Sequence, residues 1–182
     1  MQSITINNTT LELYEGDITE LDVDAVVNAA NSALAGGGGV DGAIHRAAGR
    51  SLYDETAAII ARIGRLATGK AVTTGAGDML AKYIIHTVGP IYSGSPADRS
   101  RLRDCYANSL AEVDVHGAVS VAFPAISTGV YRYPLAEAAD VAVGACIEYV
   151  ESHPDTCIEQ IIFALYGRAA VTEYERVFGS KQ

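Results

Sequence analysis

A run of four glycines, followed by an acidic residue, is the stretch of this sequence best suited to chemistry. Gly36 to Gly39 follow a short apolar strand predicted at Asp24 to Val27, and they precede a predicted helix. Because glycine has no Cβ, a ligand can lie directly against the backbone N–H groups of such a loop. The helix start adds unpaired N–H donors and the positive end of the helix dipole, so this stretch predicts a phosphate or diphosphate site.

Asp41 stands at the opening of that helix, beside the predicted anion site. A carboxylate is poorly placed as a phosphate ligand, so we expect Asp41 to handle a proton or a water molecule. His45 lies four residues later on the same helical face and has two interpretations. It either pairs with Asp41 in catalysis or packs in a helix interface, which is the interpretation we favour. His86 falls in a strand predicted to be buried, and we interpret it as structural.

Other sites that use glycine-rich loops fit this sequence poorly. A Walker A loop needs Gly-Lys-Ser/Thr, and no lysine follows Gly39, which argues against NTP hydrolysis. Gly37, Gly39 and Gly42 have the spacing of a dinucleotide fingerprint, but a polar insert separates them from the strand. No G-x-S-x-G, H-E-x-x-H or C-x-x-C spacing occurs in the sequence, so we expect neither a metal nor another cofactor.

The elements that position these residues alternate between strands and helices. Short β-branched or apolar runs predict strands at 3–6, 10–14, 24–27, 71–74, 83–88, 119–123 and 161–165. Helices are predicted after Asp41, from Ser51 as an N-cap, over 102–113, from Pro134 and around 171–178, with 93–100 as a surface loop. This order predicts an α/β domain with a largely parallel sheet, which binds ligands beyond the carboxyl ends of its strands.

A second loop, from Pro124 to Tyr131, follows the strand predicted at 119–123. If that strand and the one at 24–27 are neighbours, the two loops face each other across one cleft. Asp17 ends the second strand of a predicted N-terminal hairpin. It either caps the turn there or accepts a hydrogen bond from a ligand amino group, and the local sequence leaves both roles open.

Composition sets limits on the function. The 182 residues predict a single domain over 1–182, and the 49% of apolar residues can form a substantial core. The net charge of −9 argues against broad binding of nucleic acid or acidic membranes, so a diphosphate would be held mainly by backbone amides. Cys105, Cys146 and Cys157 are expected to be buried, reduced thiols. With no signal peptide and no membrane-spanning run, we expect a cytoplasmic protein.

Five ordered motifs in this sequence resemble the macrodomain family. They are GDIT (16–19), VNAAN (27–31), GGGGVDGAIHRAAG (36–49), IIHTVGP (84–90) and FPAISTGVYRYP (123–134). The form is similar to the MacroD-type group, particularly the bacterial O-acetyl-ADP-ribose deacetylases, and the resemblance covers nearly the whole chain. It implies a three-layer fold, with a central mixed, largely parallel sheet between helices and ADP-ribose in a cleft at the strand ends.

The same resemblance implies roles for individual residues. Asp41 would be the catalytic acidic residue, which orients a water, and Asn31 would hold the distal ribose. The base that deprotonates the water would be either Asp41 or a phosphate oxygen of the substrate. Asp17, with Ile18 beside it, would accept from the adenine amino group, and Tyr166 would lie near adenine. The remaining implied contacts, with the diphosphate and the distal ribose, are Gly38, Gly39, Val40, Ser127, Thr128, Gly129, Val130 and Tyr131, of which the last five would offer backbone amides.

Three positions depart from the family pattern. Arg132 stands where the family usually has glycine, and Gly167-Arg168 replaces a common acidic pair after the last strand. The turn from Met79 to Lys82 lacks the proline often found there. The change at Gly167-Arg168 affects the implied adenine-side contacts, and Arg132 either points to solvent or adds a cation near the mouth of the cleft. None of the three departures involves Asn31 or Asp41.

The leading hypothesis is hydrolysis of an ester at the distal ribose of ADP-ribose. The substrates would be O-acetyl-ADP-ribose and proteins that carry mono-ADP-ribose on acidic side chains, with no membrane partner and no nucleic acid. One alternative is a non-catalytic reader module that binds ADP-ribose. A second is a phosphatase acting on ADP-ribose 1″-phosphate, and a third is a protein- or RNA-binding role in which the cleft is incidental.

Overall fold

Seven strands form one mixed sheet in the computed structural model, which describes residues 2–182. The strands are β1 (Ser3–Ile6), β2 (Thr9–Glu15), β3 (Ala25–Ala29), β4 (Ala71–Gly75), β5 (Tyr83–Thr87), β6 (Ser120–Phe123) and β7 (Gln160–Leu165). The helices are α1 (Gly39–Ala48), α2 (Arg50–Ile63), α3 (Pro96–Val115), α4 (Leu135–Ser152) and α5 (Arg168–Gly179). A 3₁₀ turn at Ile18–Glu20 follows β2.

Two helical layers cover the two faces of the sheet, because successive strand residues point to opposite sides. Val27 packs into a core shared with α3, α4 and α5, where Tyr106 and Tyr174 are fully buried. Its neighbour Val26 packs into the opposite core, with Ile44 of α1 and Leu52 of α2. The predicted three-layer α/β architecture is therefore confirmed.

Five consecutive strands in the sheet run in the same direction, so their carboxyl ends meet at one edge. The strand order is β1-β2-β7-β6-β3-β5-β4, and only the two outermost pairings, β1 with β2 and β4 with β5, are antiparallel. The sequence left open whether β3 and β6 are neighbours, and the parallel register that pairs Ala25 with Val121 and Val26 with Ala122 shows that they are. The segments after β2, β7, β6 and β3 therefore lie in that order along the edge.

Two helix starts differ from the sequence-based expectation. Ser51 is not an N-cap, because α2 already begins at Arg50, directly after Gly49, whose φ of 86° ends α1 and redirects the chain. The segment 93–100 is only partly a loop. Its second half opens α3, where the Ser95 hydroxyl accepts from Ala97 N at 3.3 Å and Pro96 occupies the first helical position.

The cysteines divide into two groups. Cys105 and Cys146 are fully buried as predicted, and burial raises the pKa of both thiols, that of Cys105 to about 11. The expectation that Cys157 is buried was wrong. It is exposed in the connection before β7, where its Sγ lies 3.3 Å from Asp114 Oδ1.

Within residues 2–182, no helix has both the length and the apolar composition that crossing a membrane requires.

Candidate active site

The residues predicted to form a site all lie on segments at the carboxyl edge of the sheet. The turn after β2 carries Asp17, and the segment after β7 begins with Tyr166. The loop after β6 contains 127–131, and the loop after β3 leads through the glycines into Asp41. The predicted adenine residues therefore stand at one end of a row and the predicted catalytic residue at the other, with the 127–131 loop between them.

The glycine loop offers open backbone donors. The N–H groups of Gly37, Gly38, Gly39 and Val40 have no acceptor among the residues that the structure describes. A Cβ placed on Gly38 or Gly39 would meet no atom within 4 Å, so this side of the loop is unobstructed. Free amides at the start of a ten-residue helix are a favourable environment for a phosphate group.

The loop after β6 forms a second group of donors. The N–H groups of Ser127, Gly129, Val130 and Tyr131 find no acceptor within residues 2–182. Two bonds close the loop and hold these amides on a fixed frame: Arg132 N to Gly129 O at 2.9 Å, and Tyr133 N to Ser127 O at 2.9 Å. Two neighbouring parallel strands, β3 and β6, thus lead at the same edge of the sheet into loops with free amides.

Thr128 is the exception in this loop and corrects one implied role. Its N–H already donates to Ala125 O at 3.3 Å, and its hydroxyl donates to the same oxygen at 2.7 Å. The residue therefore builds the turn, so we no longer count its amide among the donors for a diphosphate.

Asp41 is held by contacts to one of its two carboxylate oxygens. Oδ1 accepts from Asn28 Nδ2 at 2.8 Å and lies 2.9 Å from His45 Nδ1, which also contacts the Asp41 backbone oxygen at 2.9 Å. The residue is only 6% exposed. Oδ2 has no hydrogen bond to any described residue and faces the glycine loop, 3.5 Å from where a Cβ would stand on Gly37. This arrangement fixes the carboxylate and leaves Oδ2 available for a water molecule.

His45 combines both interpretations that the sequence left open. Its side chain is buried in the helix layer, and its ring packs on Tyr53 with centroids 4.6 Å apart. It also contacts Asp41 directly, so packing and pairing do not exclude each other here.

Asn31 braces the glycine loop in this structure. Its Nδ2 donates to Gly36 O at 3.0 Å, and its Oδ1 accepts from Ala35 N at 3.2 Å. These contacts set the shape of the loop just before the free amides. The role predicted for Asn31 at the distal ribose stays a prediction.

At the other end of the cleft, Asp17 caps the turn after β2. Its Oδ1 accepts from Thr19 N at 2.9 Å and from the Thr19 hydroxyl at 2.7 Å, whereas Oδ2 has no hydrogen-bond partner among the described residues. Ile18 is buried, and Tyr166 is 91% exposed. Capping and ligand binding are thus compatible for Asp17, because each role can use a different oxygen.

Three residues that contact one another beside Asp41 were not predicted to belong to the site, and of these only His86 had been given a role, a structural one. Asn28, which contacts Asp41, lies within β3, one residue beyond the predicted end of that strand. His86 on β5 lies beside it, with Nδ1 3.2 Å from Asn28 Nδ2, and its Nε2 lies 2.9 Å from Thr74 Oγ1 on β4. Burial, with a smaller contribution from the charge of His45, lowers the pKa of His86 to about 3. His86 is therefore neutral at physiological pH.

The buried His86 predicts a loss of stability in mild acid. The unfolded chain binds a proton at this histidine near pH 6.5, whereas the folded chain does not until about pH 3, so stability falls as the pH drops between these values. We expect this one group to cost about 2 kcal/mol of unfolding free energy between pH 7 and pH 5. Urea unfolding of wild type and His86→Asn at both pH values measures it. An equal loss in the two proteins would contradict this origin.

Arg132 occupies the left-handed backbone region, with φ of 60°, which explains why glycine is favoured at this position. Its exposed side chain contributes no hydrogen bond to the described residues, so the strain is not offset by a contact of the guanidinium. We expect Arg132→Gly to be about 1 kcal/mol more stable than Arg132→Ala, since both remove the side chain but only glycine removes the Cβ. Thermal unfolding of the two variants provides the comparison, and equal stabilities would contradict it.

Arg168, the other departure at this edge, forms ion pairs on the exposed surface. Its guanidinium lies 3.5 Å from Glu15 Oε2 and 3.1 Å from Glu175 Oε2. These carboxylates balance the positive charge that replaces the acidic pair expected after β7.

Comparisons with known proteins identify similar chains over most of this sequence. The family model described as Macro domain matches residues 27–142. An O-acetyl-ADP-ribose deacetylase of Escherichia coli is 48% identical over 170 residues, covering 93% of this chain and 95% of that protein. A deacetylase of the same description from Cronobacter sakazakii is 46% identical over 170 residues, covering 93% of each chain.

Solved structures show the same fold. A structure of the Oceanobacillus iheyensis macrodomain with ADP has a TM-score of 0.92 and 37% identity, covering 98% of this chain and 94% of that one. The Trypanosoma brucei macrodomain in complex with ADP-ribose has a TM-score of 0.83 and 38% identity, covering 91% of this chain and 68% of that one.

Proposed function

Because the chain belongs to the macrodomain family, we propose that it hydrolyses esters of ADP-ribose, releasing acetate from O-acetyl-ADP-ribose or ADP-ribose from acidic protein side chains. The observation that carries this proposal is the orientation of Asp41. Its Oδ1 is held by Asn28 and His45, and its Oδ2 faces a loop of free amides. A site that only binds a diphosphate needs the amides but has no use for a fixed carboxylate beside them.

The proposed reaction uses water as the nucleophile. Asp41 Oδ2 accepts a proton from a water molecule, and the water oxygen attacks the acyl carbon of the ester. The bond between that carbon and the ribose oxygen then breaks. The ribose oxygen takes back a proton, which leaves a free hydroxyl on ADP-ribose and a carboxylic acid. No metal or other cofactor enters this scheme.

The substrate would lie along the edge of the sheet. Amides of Gly38, Gly39 and Val40 on one loop, and of Ser127, Gly129, Val130 and Tyr131 on the other, would hold the diphosphate and border the distal ribose. Asn31 and Tyr131 would position that ribose beside Asp41. Asp17, Ile18 and Tyr166 would contact adenine, and the exposed ring of Tyr166 supports this placement. The proposal treats 1–182 as a single macrodomain, with all seven strands in one sheet.

A non-catalytic reader of ADP-ribose is the alternative. The names of the relatives, O-acetyl-ADP-ribose deacetylase, favour turnover. The geometry of Asp41 favours it as well, because a reader gains nothing from a buried carboxylate next to the anion site.

The test is to identify the products formed from three compounds. Purified protein is incubated with O-acetyl-ADP-ribose, with a protein carrying mono-ADP-ribose on glutamate, and with ADP-ribose 1″-phosphate. Acetate from the first, or ADP-ribose from the second, supports ester hydrolysis. Phosphate from the third alone would indicate a phosphatase. Binding of ADP-ribose by calorimetry without any product would establish a reader and overturn the proposal.

A further inference from the structure

A line of buried polar groups connects Asp41 with β4, across two strands of the sheet. Asn28 Nδ2 lies 2.8 Å from Asp41 Oδ1 and 3.2 Å from His86 Nδ1. His86 Nε2 lies 2.9 Å from Thr74 Oγ1, which in turn donates to Gly75 O at 2.9 Å. We propose that Asn28 is a positioning residue for Asp41, and that His86 and Thr74 hold its amide in the one orientation that serves the reaction. This inference rests on the proposed function.

The orientation of the Asn28 amide follows from its partners. The Asp41 carboxylate is an acceptor, so the group that faces it must be the NH₂ and not the carbonyl oxygen. Its two hydrogens serve Asp41 Oδ1 and His86 Nδ1. Nδ1 must then be an acceptor, and the proton of the neutral ring is on Nε2, from which it donates to Thr74. The Thr74 hydroxyl can therefore donate only to Gly75 O. The donor of every hydrogen bond in the line is thus assigned, and the bonds run outward from the Asn28 NH₂ group.

Stability alone does not explain an asparagine at this position. Asn28 is fully buried, and its Oδ1 has no hydrogen-bond partner among the described residues. A buried acceptor without a partner lowers the stability of the folded state. The neighbouring β3 residues Val26 and Val27 show that this part of the strand accommodates aliphatic side chains. The asparagine therefore lowers the stability of the fold, which is expected if its NH₂ group serves Asp41.

The line fixes the direction in which Asp41 presents its free oxygen. Oδ1 accepts a hydrogen bond from Asn28 on β3 and lies 2.9 Å from His45 Nδ1 on α1, and Oδ2 is left facing Gly37. Without the Asn28 donor the carboxylate is free to rotate about its Cβ–Cγ bond. The expected result is loss of catalytic rate and not of affinity, because no side-chain hydrogen bond joins Asn28, His86 or Thr74 to the two diphosphate loops.

Steady-state kinetics on variants of Asn28 and Thr74 test the inference. Asn28→Leu removes the donor, and Thr74→Val removes the anchor of His86 without touching Asp41. We expect kcat to fall about 10–100-fold for Asn28→Leu, because a small misplacement of the catalytic carboxylate is enough for such a loss, and less for Thr74→Val, with the ADP-ribose Kd unchanged in both. Thr74→Ser keeps the hydroxyl that contacts His86 and should have the wild-type kcat. Thr73→Val is the matched control, because Thr73 donates to Glu112 and not to His86.

Long-range proton–nitrogen NMR gives a second readout that a general loss of packing would not produce. The His86 ring, assigned by comparison with His86→Asn, should be the Nε2–H tautomer in wild type and in Thr74→Ser. An Nδ1–H tautomer, or wild-type kcat in Asn28→Leu, would overturn the inference. If wild type releases no product from any ester, the proposed function fails, and the tautomer alone then decides whether the hydrogen-bond line is correct.

Discussion

Replacement of Asp41 by alanine is expected to lower turnover of O-acetyl-ADP-ribose about 10²–10⁴-fold, the usual contribution of a positioned general base. The affinity for ADP-ribose should change by no more than about threefold, or roughly 0.7 kcal/mol, because the diphosphate is held by backbone amides. Acetate release and calorimetry with ADP-ribose measure the two quantities separately.

Two further variants separate the loss of a base from the loss of structure. Asp41→Ala leaves the buried NH₂ of Asn28 without its acceptor, which lowers the stability of the protein. Asp41→Asn keeps an oxygen that Asn28 and His45 can contact, so it should fold like wild type and still be inactive. Asp22→Ala removes the same charge from an exposed position and should retain full turnover. Wild-type turnover in Asp41→Asn would remove the role of this carboxylate.

The second large effect is expected at Gly42, in the helix that follows the glycine loop. An alanine at an ordinary helical position is about 1 kcal/mol more stable than glycine. At Gly42 the sign should reverse, because a Cβ would lie 2.5 Å from the carbonyl oxygen of Gly37. Overpacking of this kind costs about 1–3 kcal/mol. If the loop moves instead, it carries Gly37 away from Asp41 Oδ2, and turnover falls.

Gly144 in α4 is the matched control for this substitution. It is also helical, and a Cβ there would meet nothing within 4 Å. We expect Gly144→Ala to be more stable than wild type by about 0.5–1 kcal/mol, with normal turnover. Urea unfolding and acetate release from both variants provide the comparison. A Gly42→Ala protein that is as stable and as active as Gly144→Ala would contradict the predicted clash between the added Cβ and the Gly37 carbonyl oxygen.

The sequence was sufficient for the parts of the site that depend on local pattern. Four glycines before a helix predict an anion site wherever the helix lies, and Asp41 follows from its place in the first turn. The pairing of β3 with β6, on which the two-loop cleft depends, required the structure, because sequence order does not determine strand order.

Contacts between segments that are distant in the chain could not be predicted from the sequence. Asn28, His86 and Thr74 come from three different strands, and none belongs to a spacing that predicts their contact. Thr128 shows a different limit. The family resemblance implies a free amide at Thr128, but the turn within that loop uses the amide itself. The one sequence feature that could have indicated Asn28 is a polar residue directly after an apolar run, and its contact with His86 required the position of β5.

The central claim is that the cleft that binds ADP-ribose is also where the ester is cleaved. The most direct test is the rate of acetate release from O-acetyl-ADP-ribose in the presence of increasing ADP-ribose. We predict release well above the uncatalysed rate, with competitive inhibition whose constant equals the calorimetric Kd of ADP-ribose. Acetate release no faster than in buffer, or release unaffected by saturating ADP-ribose, would contradict the claim.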